Sequence, residues 1–68
     1  MNTEINFTER EINVLKLIAD GLTNQEIADK LYLSRRTVES QREALISKTG
    51  TKNSASLVRF AMRNGYVT

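Results

Sequence analysis

Cysteine and histidine are both missing from this 68-residue chain. Without cysteine there is no disulfide framework and no thiolate metal site, and without histidine the serine-triad and most zinc chemistries lose their base or ligand. Carboxylates, lysines and hydroxyls are all that is left for a reaction, and no paired buried carboxylates or activated nucleophile can be picked out among them. The chain is therefore not expected to be an enzyme or to hold a metal or cofactor. No apolar run approaches the roughly 20 residues of a membrane span, and the N-terminus lacks a signal peptide's apolar core. These absences point to a cytoplasmic protein with no membrane partner and no small-molecule ligand. Residues 1–68 make one small domain, near the lower limit at which a single core is stable without staples.

The charge that is present is unevenly placed. The net value is only +2, but residues 1–30 carry three bases against six acids, net −3, and residues 31–68 carry seven bases against two acids, net +5. A basic second half is the electrostatic footprint of a polyanion binder, whereas a surface charged only for solubility mixes the signs throughout.

The pattern along the chain is helical. Residues 1–6 form a short polar lead expected to fray. Thr8-Glu9-Arg10-Glu11 is a capping box, with Phe7 placed to staple against Ile12, and Val14, Leu15, Ile18 and Ala19 continue the helical period as core until Asp20-Gly21 stops it. Leu22 is expected to tuck in at the turn. Thr23-Asn24-Gln25-Glu26 is a second capping box, opening a short helix whose inward stripe is Ile27, Ala28 and Leu31. Tyr32-Leu33-Ser34 makes a three-residue connection plugged by Leu33, and Ser34 caps a longer helix that Gly50 ends. In that helix Val38, Leu45, Ile46 and Thr49 form a thin apolar stripe, while Arg36, Glu39, Ser40, Glu43 and Ser47 recur on the other face. At about 22 Å it suits a major groove. Two capped helices joined by three residues, the first short with a central alanine, meet the description of a helix-turn-helix over about residues 23–42. Asn53 or Ser54 then caps a fourth helix that ends at Asn64-Gly65, with Ala55, Val58, Ala61 and Met62 on one stripe, Leu57 and Phe60 on its flank, and Tyr66 and Val67 following the stop.

From Phe7 to Tyr66 these residues also carry a resemblance. The stretches F-T-E-R-E-I-N-V-L-K-L-I-A-D-G-L-T-N-Q-E-I-A-D-K-L, L-S-R-R-T-V-E-S and K-T-G-T-K-N-S-A-S-L-V-R-F-A, in this order and spacing, resemble the LuxR/FixJ (GerE-like) helix-turn-helix domain of bacterial transcription and response regulators. The resemblance implies an all-α, four-helix domain whose third helix, residues 35–48, enters the major groove of double-stranded DNA and whose fourth often mediates dimer contacts. It implies as well that such a domain commonly follows a receiver or sensing domain. Two positions depart from the family pattern. Gln41 replaces a common histidine, keeping a donor and an acceptor but losing the option of charge, and Thr49 replaces a leucine, weakening the apolar stripe.

Roles follow by chemistry and by position. Thr23, Asn24 and Gln25 open the second helix, where free N–H groups and the positive dipole end attract a phosphate. Arg36, Thr37, Gln41 and Arg42 are expected to reach backbone oxygens, with Lys48, Lys52 and Asn53 extending the contact. Base edges fall to Glu39, Ser40 and Glu43, which match the family's groove-facing positions. Glu39 either reads a base or merely orients Arg35 at i−4 and Arg42 at i+3. Val58 and Met62 are either core or a patch that pairs with a second copy on two half-sites. The leading expectation is sequence-specific DNA binding. A helix-turn-helix interaction module gripping RNA polymerase or a partner regulator is the alternative.

Overall fold

The computed structural model describes residues 5–67 as four helices: α1 (Glu9–Ala19), α2 (Asn24–Leu31), α3 (Arg35–Thr49) and α4 (Ser54–Arg63). Among the described residues there is no strand. Most of the polar lead, residues 1–4, lies outside the described residues.

Each helix starts where its cap dictates. In α1 the Thr8 hydroxyl accepts from the Glu11 N–H at 3.1 Å while the Thr8 N–H donates to Glu11 Oε1 at 2.8 Å, and Thr23 and Glu26 repeat this at the same distances in α2. Ser34 accepts from the Thr37 N–H at 3.1 Å to open α3. Asn53, not Ser54, caps α4 and forms a further capping box with Ser56. These contacts satisfy N–H groups that a helix start otherwise leaves without partners. The ends are equally local. Gly50 closes α3 with φ +71, a conformation open to glycine, whereas Tyr32 closes α2 with φ +58 although it carries a side chain.

One apolar core joins all four helices: Val14, Leu15 and Ile18 from α1, Ile27 and Ala28 from α2, Val38 and Leu45 from α3, Leu57 and Ala61 from α4, and Val67 beyond it. Each fully buried Leu, Ile or Val contributes about 1.5–3 kcal/mol. The small Ala28 is completely buried, and α2 and α3 make the most extensive contact of any helix pair. That contact fixes the helix-turn-helix.

Three details differ from the sequence reading. On α4 the inward pair is Leu57 and Ala61, one turn apart, with Val58 half-buried, while Ala55 and Met62 are exposed. The cause is rotational: α4 packs on both α1 and α3, and at 100° per residue Met62 and Ala55 lie roughly 140° and 160° round from Leu57. Beyond the stop, Val67 is buried, and Tyr66 meets the Phe7 ring edge-on at 4.7 Å and donates its hydroxyl to the Ile5 carbonyl at 3.3 Å. Phe7, expected to staple against Ile12, thus takes part in an aromatic clasp that ties the chain before α1 to the chain after α4. Thr49 stays on the half-buried edge because its hydroxyl donates back to the Leu45 carbonyl at 2.8 Å and pairs with Thr51 at 2.9 Å, leaving no unsatisfied polar atom against the core.

Candidate nucleic-acid interface

The outward side of α3 is built by what its inward side buries. Val38 and Leu45 have no exposure, and that anchoring turns Arg35, Arg36, Glu39, Ser40, Glu43 and Ser47 to solvent. Thr37, Gln41 and Arg42 lie half-buried along the edges. Thr37 shares a 2.9 Å hydrogen bond with the Ser34 hydroxyl, so the start of the helix is held rigidly. The fourth helix does not cover this surface: Arg36, Ser40 and Glu43 are all exposed.

At its N-terminal end α3 meets the start of α2. Thr23, Asn24, Gln25 and Arg35 line an open cleft of about 260 Å³ there. The Thr23 hydroxyl and N–H are both spent on the capping box, and the Gln25 amide donates along α2 to Asp29 at 3.0 Å. The backbone N–H groups of Asn24 and Gln25, in the first turn, have no intrahelical acceptor. Asn24 Oδ1 is buried without a hydrogen-bond partner. The sequence marks Arg35 only as a neighbour of Glu39. Its place at this cleft could have been inferred from its position directly after the Ser34 cap, which sets it beside the preceding helix.

Charge on the outward face is mixed. Arg35 Nε donates to Glu39 Oε2 at 3.0 Å, an exposed i,i+4 pair. Arg42, the other cation in reach of Glu39, goes elsewhere: its Nη1 donates to the Ser54 hydroxyl at 2.6 Å, tying α3 to the first residue of α4. Its Nε is buried without a partner, as is Gln41 Oε1. Arg36 and Glu43 form no ion pair among the described residues.

The far end of α3 is committed to the fold. Lys48 donates to Glu11 Oε1 at 2.9 Å and sits 5.2 Å above the Phe7 ring, so its ammonium faces α1. Burial alone would push the Glu11 carboxyl up, but hydrogen bonds from Lys48 and from Thr8, with the Lys48 charge, outweigh it and hold the group below its ordinary value. Asn53 Oδ1 accepts from the Ser56 N–H at 2.9 Å, and the N–H groups of Lys52 and Asn53 both donate to Ser56 Oγ at 3.0 Å. The Lys52 side chain is left in solvent. The structure therefore brings the start of α2, Arg35, Arg36 and the 39–40–43 face together on one side, and sets Lys48 and Asn53 to structural contacts.

The family of bacterial regulatory proteins known as the luxR family, or GerE, matches residues 6–61. This chain belongs to the luxR family. The luxR-family domain is a helix-turn-helix module of DNA-binding transcription regulation, all-α with four helices. It is 46% identical over 67 residues to the probable transcriptional regulator ycf29 of Cyanophora paradoxa, covering 98% of this chain and 32% of that protein. It is 47% identical over 62 residues to the response regulator Rre1 of Synechocystis sp., covering 91% of this chain and 27% of that one. Among solved structures it superposes on the Vibrio cholerae VqmA dimer, a LuxR-type receptor, with a TM-score of 0.89 and 33% identity, covering 96% of this chain and 30% of that one. The luxR-family domain thus spans about a third of the length of these relatives. Among the described residues no helix is long and apolar enough to cross a membrane.

Proposed function

We propose that the domain binds double-stranded DNA sequence-specifically by laying α3 in the major groove, as a pair of copies on two half-sites, and that it does so as the DNA-binding part of a longer cytoplasmic response regulator. The observation that carries this reading is the line of exposed polar groups from Arg36 through Ser40 and Glu43 to Ser47, on a helix whose opposite face is fully buried at Val38 and Leu45. Phosphates on either side of the groove are met by the first turn of α2, by Arg36, and by Lys52 at the other end. Two of the regulators similar to this chain are described as a response regulator and as a receptor with a target DNA, the latter a dimer. Met62 is 57% exposed beside half-buried Val58, which favours α4 as the pairing surface.

Titration with random-sequence duplex at low and moderate salt tests the reading. Affinity is expected to fall steeply and log-linearly with salt, as phosphate contacts release counterions. Absence of salt-sensitive binding would favour the interaction module that grips RNA polymerase or a partner regulator.

A further inference from the structure

DNA binding by α3 leaves open which bases the helix reads, and the residues on its outward face narrow the choice. This inference rests on the DNA-binding reading above. Side chains 39 and 43 are both glutamates, and an ionised carboxylate only accepts hydrogen bonds. In the major groove the only base groups that donate are cytosine N4 and adenine N6, whereas guanine presents O6 and N7 and thymine presents O4, all acceptors. A carboxylate set against guanine places acceptor on acceptor in a strongly negative groove.

The ion pair decides how the two glutamates differ. Arg35 Nε holds Glu39 Oε2 at 3.0 Å, while Glu39 Oε1 has no protein partner among the described residues. One oxygen is pinned, the charge is compensated and the other oxygen is presented. The Glu39 side chain is 46% exposed, so that oxygen is open to a ligand. Arg42 neighbours Glu43 in sequence but is bound to Ser54, so Glu43 carries an uncompensated carboxylate. Four residues along a helix rise about 6 Å, which is roughly two base-pair steps of 3.4 Å.

We infer that α3 selects the orientation of the base pair at two positions about two base pairs apart, requiring the amino-bearing base, cytosine or adenine, on the strand that each glutamate faces, with Glu39 and Glu43 as the acceptors and Arg35 as the positioning residue for Glu39. Glu39 discriminates because its free oxygen is held in place. Glu43 discriminates by rejection, because without a donor opposite it an unpaired charge sits among phosphates. Ser40, able to donate or accept, sets no preference between them.

Selection of bound duplexes from a random pool, followed by affinities on single-site variants, tests this with the intact chain and with Arg35→Ala, Arg36→Ala, Glu39→Gln and Glu43→Gln. The wild-type chain is expected to enrich one orientation of a base pair at two such positions, and reversing either pair, which puts guanine or thymine where the amino-bearing base stood, should weaken binding about 5- to 150-fold. Glu43→Gln should move its position from cytosine towards adenine, since an amide matches adenine in two hydrogen bonds. Arg35→Ala should erase the preference at the Glu39 position alone, whereas Arg36→Ala should weaken all duplexes alike. Equal affinity for a base pair and its reversal at both positions, an unchanged selected site in both glutamine variants, or an equal loss on every duplex with Arg35→Ala would overturn the inference. Salt-sensitive binding with no base preference would overturn it while leaving DNA binding intact. Failure to bind any duplex would overturn both.

Discussion

Arg42 Nη1 donates to the Ser54 hydroxyl at 2.6 Å, so a cation on the helix proposed to read DNA is also the strut that seats the next helix. Removing the hydroxyl with Ser54→Ala leaves a half-buried guanidinium without this partner and should cost about 1 kcal/mol. In a domain this small that is a fall in Tm of about 4–8 °C. Ser54→Ala should leave the salt dependence of DNA binding as it is, while Arg42→Ala flattens it by about one phosphate if the remaining guanidinium donors reach the backbone. Equal slopes in both variants would make Arg42 a purely structural residue.

Arg36 is exposed and makes no ion pair among the described residues, so its loss should not touch the fold. Arg36→Ala is expected to lower affinity for every duplex and to reduce the slope of log affinity against log salt by about one, with an unchanged Tm. A loss confined to one sequence would mean that Arg36 reads a base.

Acid should weaken the contact between α1 and α3. The folded domain holds the Glu11 carboxyl below its ordinary value, so its contribution is complete above the unfolded-chain value and is lost as pH falls through the folded one. Glu11→Gln should therefore cost about 1 kcal/mol at neutral pH, the upper end for a solvent-screened pair, and nearly nothing at low pH. Urea denaturation of both proteins across pH 3 to 7 (roughly the window in which such carboxylates titrate) measures it. A constant difference between them would show that the Glu11 charge contributes nothing.

Tyr32 is 95% exposed and closes α2 with φ +58, a conformation that costs a side-chain-bearing residue about 1–2 kcal/mol. Tyr32→Gly relieves that strain, and after deducting glycine's greater freedom in the unfolded chain it should stabilise the domain by about 0.5 kcal/mol. The urea midpoint should rise with no change in slope. A lower midpoint would show that the Tyr32 ring contributes stabilising contacts despite its exposure.

Met62→Glu tests the pairing surface. Because Met62 projects from the domain, the substitution should leave Tm within about 1–2 °C, the size expected of surface changes. It should abolish cooperative occupation of a two-half-site duplex in sedimentation while leaving single-site binding unchanged. Cooperative binding by this variant would remove α4 from the dimer contact.

How much was legible in advance depended on the range of the interaction. The caps at Thr8, Thr23 and Ser34 bond within three residues, so each could be read directly from residue types at fixed offsets, and the starts of the first three helices followed from them, while Asn53 and Ser54 both offered a cap to the fourth. The outward face of α3 was legible for the same reason: one period of hydrophobicity, anchored by Val38 and Leu45, fixes which side turns away. The destinations of long side chains were not. Arg42 has Glu39 within its own helix and Ser54 across a turn, and Lys48 reaches Glu11 across 37 positions of sequence. Such choices depend on where α1 and α4 pack.

The amino-acid sequence by itself determined the helices, their order and the polar helix held on a capped two-helix frame, because caps, stops and hydrophobic period act over a few residues. Only the tertiary structure decided which flexible cations stay available to a ligand and which close the fold: Arg35 and Arg36 are left on the exposed side, while Arg42 and Lys48 are drawn into contacts with α4 and α1. It also decided the rotation of α4, which buries Leu57 and exposes Met62. A side chain with several torsions and several partners in reach takes the one that packing sets at bonding distance, and that distance exists only once the helices have met.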